Sequence, residues 1–248
     1  MIRQLAAALS FLTVLPVAVA DLTAEELAGS CRFFPLVGWL IGALLATLAA
    51  GALAVDGPPT LVACLLVAFS AWFSRGLHLD GVADLADGLA GSLEPARRLA
   101  IMKDSAIGAF GVAALVLLLL LKVMALGQLL ASPARDQALL LVALGPAAAR
   151  GFMLIVAWWG RYPRASGTGH FMVGCLSPAI LLTGLLLLLP GCWLGWPALA
   201  VFAVLLTFNI LLLLRAGHAL GGVTGDVLGA AIEWGEGLAW LTAAWLLA

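Results

Sequence analysis

Residues 107–130 read IGAFGVAALVLLLLLKVMALGQLL and carry a single charged side chain, that of Lys122. At about 1.5 Å of rise per residue, a helix of this length covers the roughly 30 Å hydrocarbon core of a bilayer. Lipid cannot hydrogen-bond to a polypeptide backbone, so an apolar run in lipid must satisfy its own amides as an α-helix. The stretch therefore predicts a membrane-spanning helix.

The composition extends this prediction to the whole chain. Of its 248 residues, 64% are hydrophobic and 10% are charged, whereas soluble domains average about 45–50% and 25%. Further apolar stretches of spanning length cover, approximately, residues 35–54, 59–75, 138–159, 179–195, 197–214 and 227–247. We expect residues 1–248 to form one membrane-embedded domain, an all-α polytopic bundle with about seven spans in a lipid bilayer.

The distribution of basic residues predicts the orientation of the bundle. The longer polar connectors, which include 76–106, 160–178 and 215–226, alternate with short ones. If the long connectors share one side of the membrane, that side holds eight basic residues and the other side holds only Arg135. The eight are Arg32, Arg75, Arg97, Arg98, Lys103, Arg161, Arg164 and Arg215. By the positive-inside rule, we expect a multi-pass protein of the cell inner membrane whose active face is cytoplasmic.

The N-terminal apolar run, residues 5–20, is short for a span and contains Pro16. A cleaved signal peptide there would put the arginine-rich connectors outside, so we expect an uncleaved re-entrant or interfacial helix. We do not expect nucleic acid as a partner, because phosphate recognition needs an excess of clustered positive charge and the net charge of the chain is −1.

An acidic motif gives the clearest chemical signal. Residues 78–88 read HLDGVADLADG, and on a helix Asp80, Asp84 and Asp87 lie on one face. Three like charges on one stripe repel one another unless a cation neutralises them. Mg²⁺ prefers such oxygen ligands, so the motif predicts a magnesium site rather than a solvated acidic loop.

Two further segments carry groups suited to phosphate chemistry. Lys103, Asp104 and Ser105 stand just before the span at 107–130; Asp104 or Ser105 could cap that helix, or the three could extend the acidic site. Residues 161–170 combine arginines, among them Arg164, with a glycine-rich turn, which favours phosphate binding.

Ionisable residues inside the apolar stretches are costly in lipid and should face a polar interior. Arg150 is deep in its span, and Asp226 and Glu233 share a face of the last one. Lys122 is near the far end of its span, and we expect it to snorkel to the interface. An ion-coupled transporter with a midplane site formed by Arg150, Asp226 and Glu233 is therefore an alternative to a membrane enzyme.

Four blocks, in order along almost the whole chain, resemble the cobalamin synthase family, the adenosylcobinamide-GDP ribazoletransferases. They are FLTVLPV from Phe11, HLDGVADLADG from His78, MKDSAIGAFG from Met102 and GGVTGDVLGAAIE from Gly221. The family often has Arg where Ala106 stands. A rival resemblance, to CDP-alcohol phosphotransferases, requires an Asp-Gly-x-x-Ala-Arg block from which this chain departs at Asp84, and a prenyltransferase-like enzyme is a further alternative.

The resemblance to cobalamin synthase implies Mg²⁺-dependent transfer of the cobinamide phosphate of adenosylcobinamide-GDP to the ribose 3′-hydroxyl of α-ribazole or its 5′-phosphate, with release of GMP. It leaves open a homo-oligomer or a complex with other enzymes of cobalamin biosynthesis. The predicted catalytic residues are His78, Asp80, Asp84 and Asp104, with His78 or Asp104 as proton acceptor. The predicted metal ligands are Asp80, Asp84 and Asp87, and the predicted substrate-binding residues are Lys103, Ser105, Arg150, Arg164, Asp226 and Glu233.

Overall fold

The chain is described by a computed structural model that covers residues 1–17, 19–167 and 169–248. Within these ranges the structure contains helices and no strand, which confirms the all-α prediction. The helices are α1 (Ile2–Leu12), α2 (Ala24–Ser30), α3 (Phe34–Ala54), α4 (Pro59–Phe73), α5 (Leu77–Gly91), α6 (Pro95–Ile101), α7 (Ala109–Leu130), α8 (Arg135–Trp159), α9 (Pro178–Leu186), α10 (Leu189–Cys192), α11 (Trp196–Leu220) and α12 (Gly225–Leu246).

Helix α8 lies at the centre of the bundle. It packs most extensively on α3 and also contacts α11 and α12, while α12 in turn packs on α5 and α7. The α3–α8 contact is close because Gly38 and Gly42 face the α8 backbone: a Cβ atom at Gly38 would stand 2.5 Å from the Pro146 carbonyl oxygen. Small residues four apart allow helix backbones in membranes to approach in this way.

The number of spans is lower than predicted. Four segments are long and apolar enough to cross a membrane, namely Ala24–Ala54, Ala109–Leu130, Arg135–Trp159 and Trp196–Leu220. Four candidate spans indicate a multi-pass membrane protein. The bent pair α4 and α5 would add a fifth only if the two helices counted together. The seven-span prediction is thus not confirmed.

The reasons for the difference lie in local breaks. The predicted span 59–75 is a helix of 15 residues, and 179–195 is divided into α9 and α10, of 9 and 4 residues. The stretch 227–247 does form one long helix, α12, but Glu233 and Glu236 are on it, and it is not among the segments that are apolar enough to count as candidate spans. A count of apolar residues does not detect where a helix ends, and this is why the predicted spans and the candidate spans of the structure differ.

A sharp corner positions α5. Arg75 and Gly76 both have positive φ, at 57° and 65°, and α5 leaves α4 at 92°. Glycine adopts this conformation without steric cost, whereas arginine does so less readily. Helix α1, of 11 residues, is too short to span at about 1.5 Å per residue, which agrees with an interfacial or re-entrant N-terminal helix; Ala18, within the run 5–20, lies outside the described residues.

Candidate active site

The acidic motif forms α5, and glycines hold this helix against the start of α12. A Cβ atom at Gly81 would stand 2.7 Å from the Asp226 carbonyl oxygen, and one at Gly229 would stand 3.2 Å from the His78 Cα atom. The two backbones are therefore in direct contact. This contact brings Asp226 of α12 beside Asp80 of α5, and both carboxylates are electrostatic neighbours of Asp84.

Asp87 has a different task from the other two aspartates of the motif. Its Oδ2 accepts a hydrogen bond from the Gly108 amide at 2.7 Å, and its Oδ1 accepts one from the Gly111 amide at 2.8 Å. These amides begin α7, where backbone donors lack partners within the helix and a negative charge is stabilising. Asp87 thus caps α7 and ties it to α5, a role that the prediction of a metal ligand did not foresee.

The three aspartates do not converge on one point. Among the described residues, no group of three or more Asp, Glu, His or Cys side chains is arranged to hold a metal ion. The three-carboxylate magnesium site consequently stays a prediction, and the cap formed by Asp87 leaves Asp80 and Asp84 as the pair with free carboxylates.

A polar cavity of about 300 Å³ opens beside this pair, between α5 and the segment that precedes α7. Its polar lining consists of Asp80, Asp84, Lys103, Asp104 and Ser105. The structure therefore brings together, as expected, the acidic face and the segment from Lys103. The alternative, a cap of α7 by Asp104 or Ser105, is not formed. Asp104 accepts a hydrogen bond from the Ala106 amide at 3.0 Å, while α7 begins at Ala109 after Gly108, whose amide donates to Asp87.

A second cavity, of about 140 Å³, also has Asp80 in its lining and lies among α1, α5 and α12, with Met153 of α8. Its polar end is formed by His78, Asp80 and Asp226, and most of the remaining wall is apolar. His78 is buried, at 4% exposure, and within the described structure its Nδ1 atom has no hydrogen-bond partner. Because Asp80 lines both cavities, molecules held in them would meet at this residue.

Arg164 reaches the site from the connector between α8 and α9. Its Nη1 atom is 3.3 Å from Asp226 Oδ2, and its Nη2 atom donates to the Leu99 carbonyl at 3.4 Å. The connector is fixed by a backbone hydrogen bond from the Val223 amide to the Arg161 carbonyl, at 2.8 Å. Arg164 and Asp226 thus lie near the acidic helix, and their roles toward a substrate stay predictions.

Below these cavities, four buried charged side chains pair with one another. Lys122 Nζ contacts Glu233 Oε2 at 2.6 Å and Glu236 Oε2 at 2.8 Å, and Arg150 Nη1 contacts Glu236 Oε1 at 2.6 Å. Each of the four residues is at most 4% exposed. The cluster, which we call the buried ion cluster, contains two positive and two negative side chains and so is neutral as a whole.

The buried ion cluster bears on three predictions. Lys122 does not snorkel to the interface, because two carboxylates hold it in the interior, so that prediction is wrong. Arg150 faces a polar interior as expected; it is paired with Glu236 and lines neither cavity, and its phosphate-binding role stays a prediction. Glu233 approaches α5, where its Oε1 is 3.9 Å from His78 Nδ1, but it is engaged by Lys122 and does not line a cavity.

Two structurally important residues escaped the sequence analysis. Glu236 received no role, although it bridges Lys122 and Arg150; its position three residues after Glu233, on the same helix face, was the available signal. Arg98 counted only toward topology, but it is buried and donates to the carbonyls of Ser92 at 2.7 Å and Ala219 at 3.0 Å. It thereby joins the end of α5 to the end of α11.

Comparisons with known proteins identify the family of the chain. A curated protein of Desulfitobacterium hafniense named adenosylcobinamide-GDP ribazoletransferase is 39% identical over 94% of this chain and 93% of its own length. Proteins of the same name from Syntrophobacter fumaroxidans and Chlorobaculum tepidum are 39% and 36% identical, over 91% and 99% of this chain and 92% and 97% of their own lengths. No solved structure gives a significant match.

The sequence profile of one family, described as cobalamin-5-phosphate synthase, matches residues 4–244. The match includes α5, the segment from Lys103, the connector that carries Arg164 and the whole of the buried ion cluster. The chain therefore belongs to the cobalamin-5-phosphate synthase family.

Proposed function

We propose that this protein is an adenosylcobinamide-GDP ribazoletransferase and catalyses a late step of cobalamin biosynthesis. The relatives that carry this name match more than nine-tenths of the chain. The observation that carries the proposal at the level of chemistry is the pair of cavities that meet at Asp80. A transferase that joins two large substrates needs two adjoining binding sites with charged groups at their junction.

The reaction exchanges the phosphoanhydride bond of the donor for a phosphate ester bond. The ribose 3′-hydroxyl oxygen of α-ribazole attacks the phosphorus of the cobinamide phosphate, the bond from this phosphorus to the oxygen of GMP breaks, and GMP leaves with the electron pair. The hydroxyl proton passes to a base. In this proposal the diphosphate lies in the polar cavity, where the Lys103 ammonium offsets its negative charge.

Two candidates for the base stand in different cavities. His78 lines the cavity of about 140 Å³ and Asp104 the cavity of about 300 Å³. His78→Gln and Asp104→Asn, compared over a range of pH, distinguish them: replacement of the base removes the acidic limb of the profile, whereas replacement of a binding residue leaves it in place.

Magnesium fits the residues of the polar cavity. Mg²⁺ is usually bound by one or two carboxylates together with substrate phosphates, and Asp80 and Asp84 supply two carboxylates beside the space assigned to the diphosphate. When bound there, the ion would neutralise charge on the diphosphate as the bond to GMP breaks. Asp80 and Asp84 would hold and orient it, while Asp87 maintains the distance between α5 and α7.

A transporter is the less favoured alternative. Its predicted midplane site needs accessible charges, but Arg150 and Glu233 belong to the neutral buried ion cluster. The accessible charges of Asp80, Asp84 and Lys103 gather instead at one end of the bundle, together with the Arg164 connector. This end is proposed to face the cytoplasm of an inner-membrane protein, with residues 1–248 acting as one domain. Single cysteines at the exposed positions Leu93, Ser166 and His218 should all be labelled from that side.

The direct test is turnover by purified protein. In detergent, adenosylcobinamide-GDP and α-ribazole with Mg²⁺ should give equal amounts of GMP and a cobalamin product by chromatography, and EDTA should abolish both. Asp84→Asn should lose activity, whereas Asp136→Asn, which removes an exposed carboxylate at the start of α8, should not. Absence of both products in several detergents and in lipid vesicles would overturn the proposal.

A further inference from the structure

The cavity of about 140 Å³ has two chemically distinct ends. Phe11, Phe34, Met153 and Met172 contribute to its apolar part, and His78, Asp80 and Asp226 form its polar end. We infer that this cavity binds the flat aromatic base of the acceptor nucleoside and that its walls select the size of that base. The inference rests on the proposed function, which supplies the acceptor, and it names the subsite within that function.

The walls suit an aromatic ring. The rings of Phe11 and Phe34 are stacked, with centroids 5.9 Å apart and planes 17° from parallel, and Phe171 meets Phe11 edge-on at 5.7 Å. Aromatic rings bind one another in both of these arrangements, and methionine sulfur contacts ring edges favourably and adapts to their shape. The wall thus offers ring faces and soft side chains rather than hydrogen bonds.

The volume agrees with a base of this kind. An apolar cavity of about 150 Å³ in another protein accommodates benzene, so a cavity of about 140 Å³ receives one ring without rearrangement. A benzimidazole has a second ring, which fits if Met153 or Met172 changes rotamer, since methionine has three rotatable bonds. Larger ring systems require a wall to move and should bind less well.

The guanine of the donor is a poorer occupant. Guanine carries hydrogen-bond donors and acceptors around most of its edge, and burying them without partners is unfavourable. The polar groups of the cavity are concentrated at one end, so they cannot satisfy the whole edge. A nucleoside with an apolar base, in contrast, places its base among Phe34, Met153 and Met172 and its ribose hydroxyls against the polar end.

This orientation also brings the reacting atoms together. The polar end includes Asp80, which lines the neighbouring cavity assigned to the diphosphate. A ribose held beside Asp80 therefore presents its hydroxyl toward the phosphorus. His78, buried beside the ribose position with an unpaired Nδ1 in the described structure, is suitably placed to contact the same hydroxyl groups.

Met172→Phe tests the subsite, because the larger side chain reduces the volume for the base while leaving the charged residues in place. The dissociation constant of radiolabelled α-ribazole, measured by equilibrium dialysis without donor, should rise about 10- to 200-fold, the range for a misfit of about one methylene in an apolar pocket. The KM for α-ribazole should rise similarly and that for adenosylcobinamide-GDP should stay within about threefold. The riboside of imidazole, which has one ring fewer, should be affected much less.

Met124→Phe is the matched control, since Met124 is exposed on α7 and lies outside both cavities; it should leave both constants unchanged. Thermal unfolding of each variant distinguishes a local effect from misfolding. If Met172→Phe does not fold, Met153→Phe repeats the test, because Met153 lines the same cavity from α8.

The outcomes distinguish the subsite from the proposed function. The inference would be overturned if both folded variants bound α-ribazole like the wild type, or if only the KM for the donor rose. In that case GMP release by the wild type would still support the transferase. Binding that weakens as expected in a protein that releases no GMP would retain the subsite and reject the transferase. A wild type that binds no α-ribazole would reject the subsite.

Discussion

Replacing Glu236 by glutamine is the sharpest perturbation of the buried ion cluster. Glu236 is 1% exposed and accepts hydrogen bonds from both Lys122 and Arg150. Glutamine keeps the shape but removes the charge, so the cluster gains a net positive charge in the interior. The single amide oxygen of glutamine can accept from Arg150 or from Lys122 but not from both, and its NH2 group then faces the other cation.

The expected loss of stability is large. Breaking a buried ion pair by removing one partner typically costs about 3–5 kcal/mol, because the other charge is left without compensation. For a chain of this size, each 1 kcal/mol lowers the melting temperature by about 2–4 °C, so Glu236→Gln should melt about 6–20 °C below the wild type. Tryptophan fluorescence during heating in a single detergent measures the shift, and Trp240, whose ring lies 5.5 Å from Lys122 Nζ, is one of the nine tryptophans that contribute to the signal.

A charge-balanced double variant separates electrostatics from packing. Adding Arg150→Met to Glu236→Gln leaves the neutral pair of Lys122 and Glu233, so the double variant should be more stable than Glu236→Gln alone, as a double-mutant cycle would show. Asp136→Asn removes an exposed charge and should change stability by less than about 0.5 kcal/mol. A wild-type melting temperature for Glu236→Gln, or a double variant that melts lower than the single one, would refute the reasoning.

Three further substitutions test the active site. Asp84→Asn should lower turnover by about 10²–10³, the usual effect of losing one positioned electrostatic stabiliser, while its melting temperature without Mg²⁺ stays equal or rises because repulsion from Asp80 is relieved; near-normal turnover would remove Asp84 from the site. Asp87→Ala should lower the free energy of unfolding by about 1–2 kcal/mol in the absence of Mg²⁺, because α7 loses its cap. An unchanged melting curve together with lost Mg²⁺ binding would instead support Asp87 as a metal ligand. Gly81→Ala should push α5 away from α12 and lower the free energy of unfolding by about 1–3 kcal/mol. Gly217→Ala is the control, because a Cβ atom there would meet nothing within 4 Å, and it should not lower stability in this way. Equal losses of stability in the two variants would contradict the close contact.

Much of the site could be predicted because its residues are close in the sequence or belong to known motifs. The shared face of Asp80 and Asp84 follows from helix periodicity, and the structure confirms that the segment from Lys103 lies beside them. The role of Asp87 was not predictable in this way. Its hydrogen bonds reach residues 21 and 24 positions away in the sequence. The helical spacing that places Asp87 on one face with the other aspartates does not indicate which other segment that face contacts.

The sequence by itself determined the solvent, the helical class and the family of this protein. Apolar runs such as 107–130 require a lipid environment and a helix, since only a helix satisfies the backbone within its own segment. It also identified which ionisable residues are too costly to face lipid, Arg150 and Glu233 among them. These conclusions depend on composition and on spacing within one helix, which are properties of the linear chain.

Only the tertiary structure decided which charges meet and how many helices have spanning length. Lys122 and Glu233 are 111 residues apart, and their contact depends on how α7 and α12 rotate and pack against α5 and α8. Spacing within a helix determines its faces, but the partner of each face depends on packing between helices, which close contacts such as that of Gly81 with Asp226 determine. For the same reason the junction of the two cavities at Asp80 became visible only once α5, α8 and α12 were assembled.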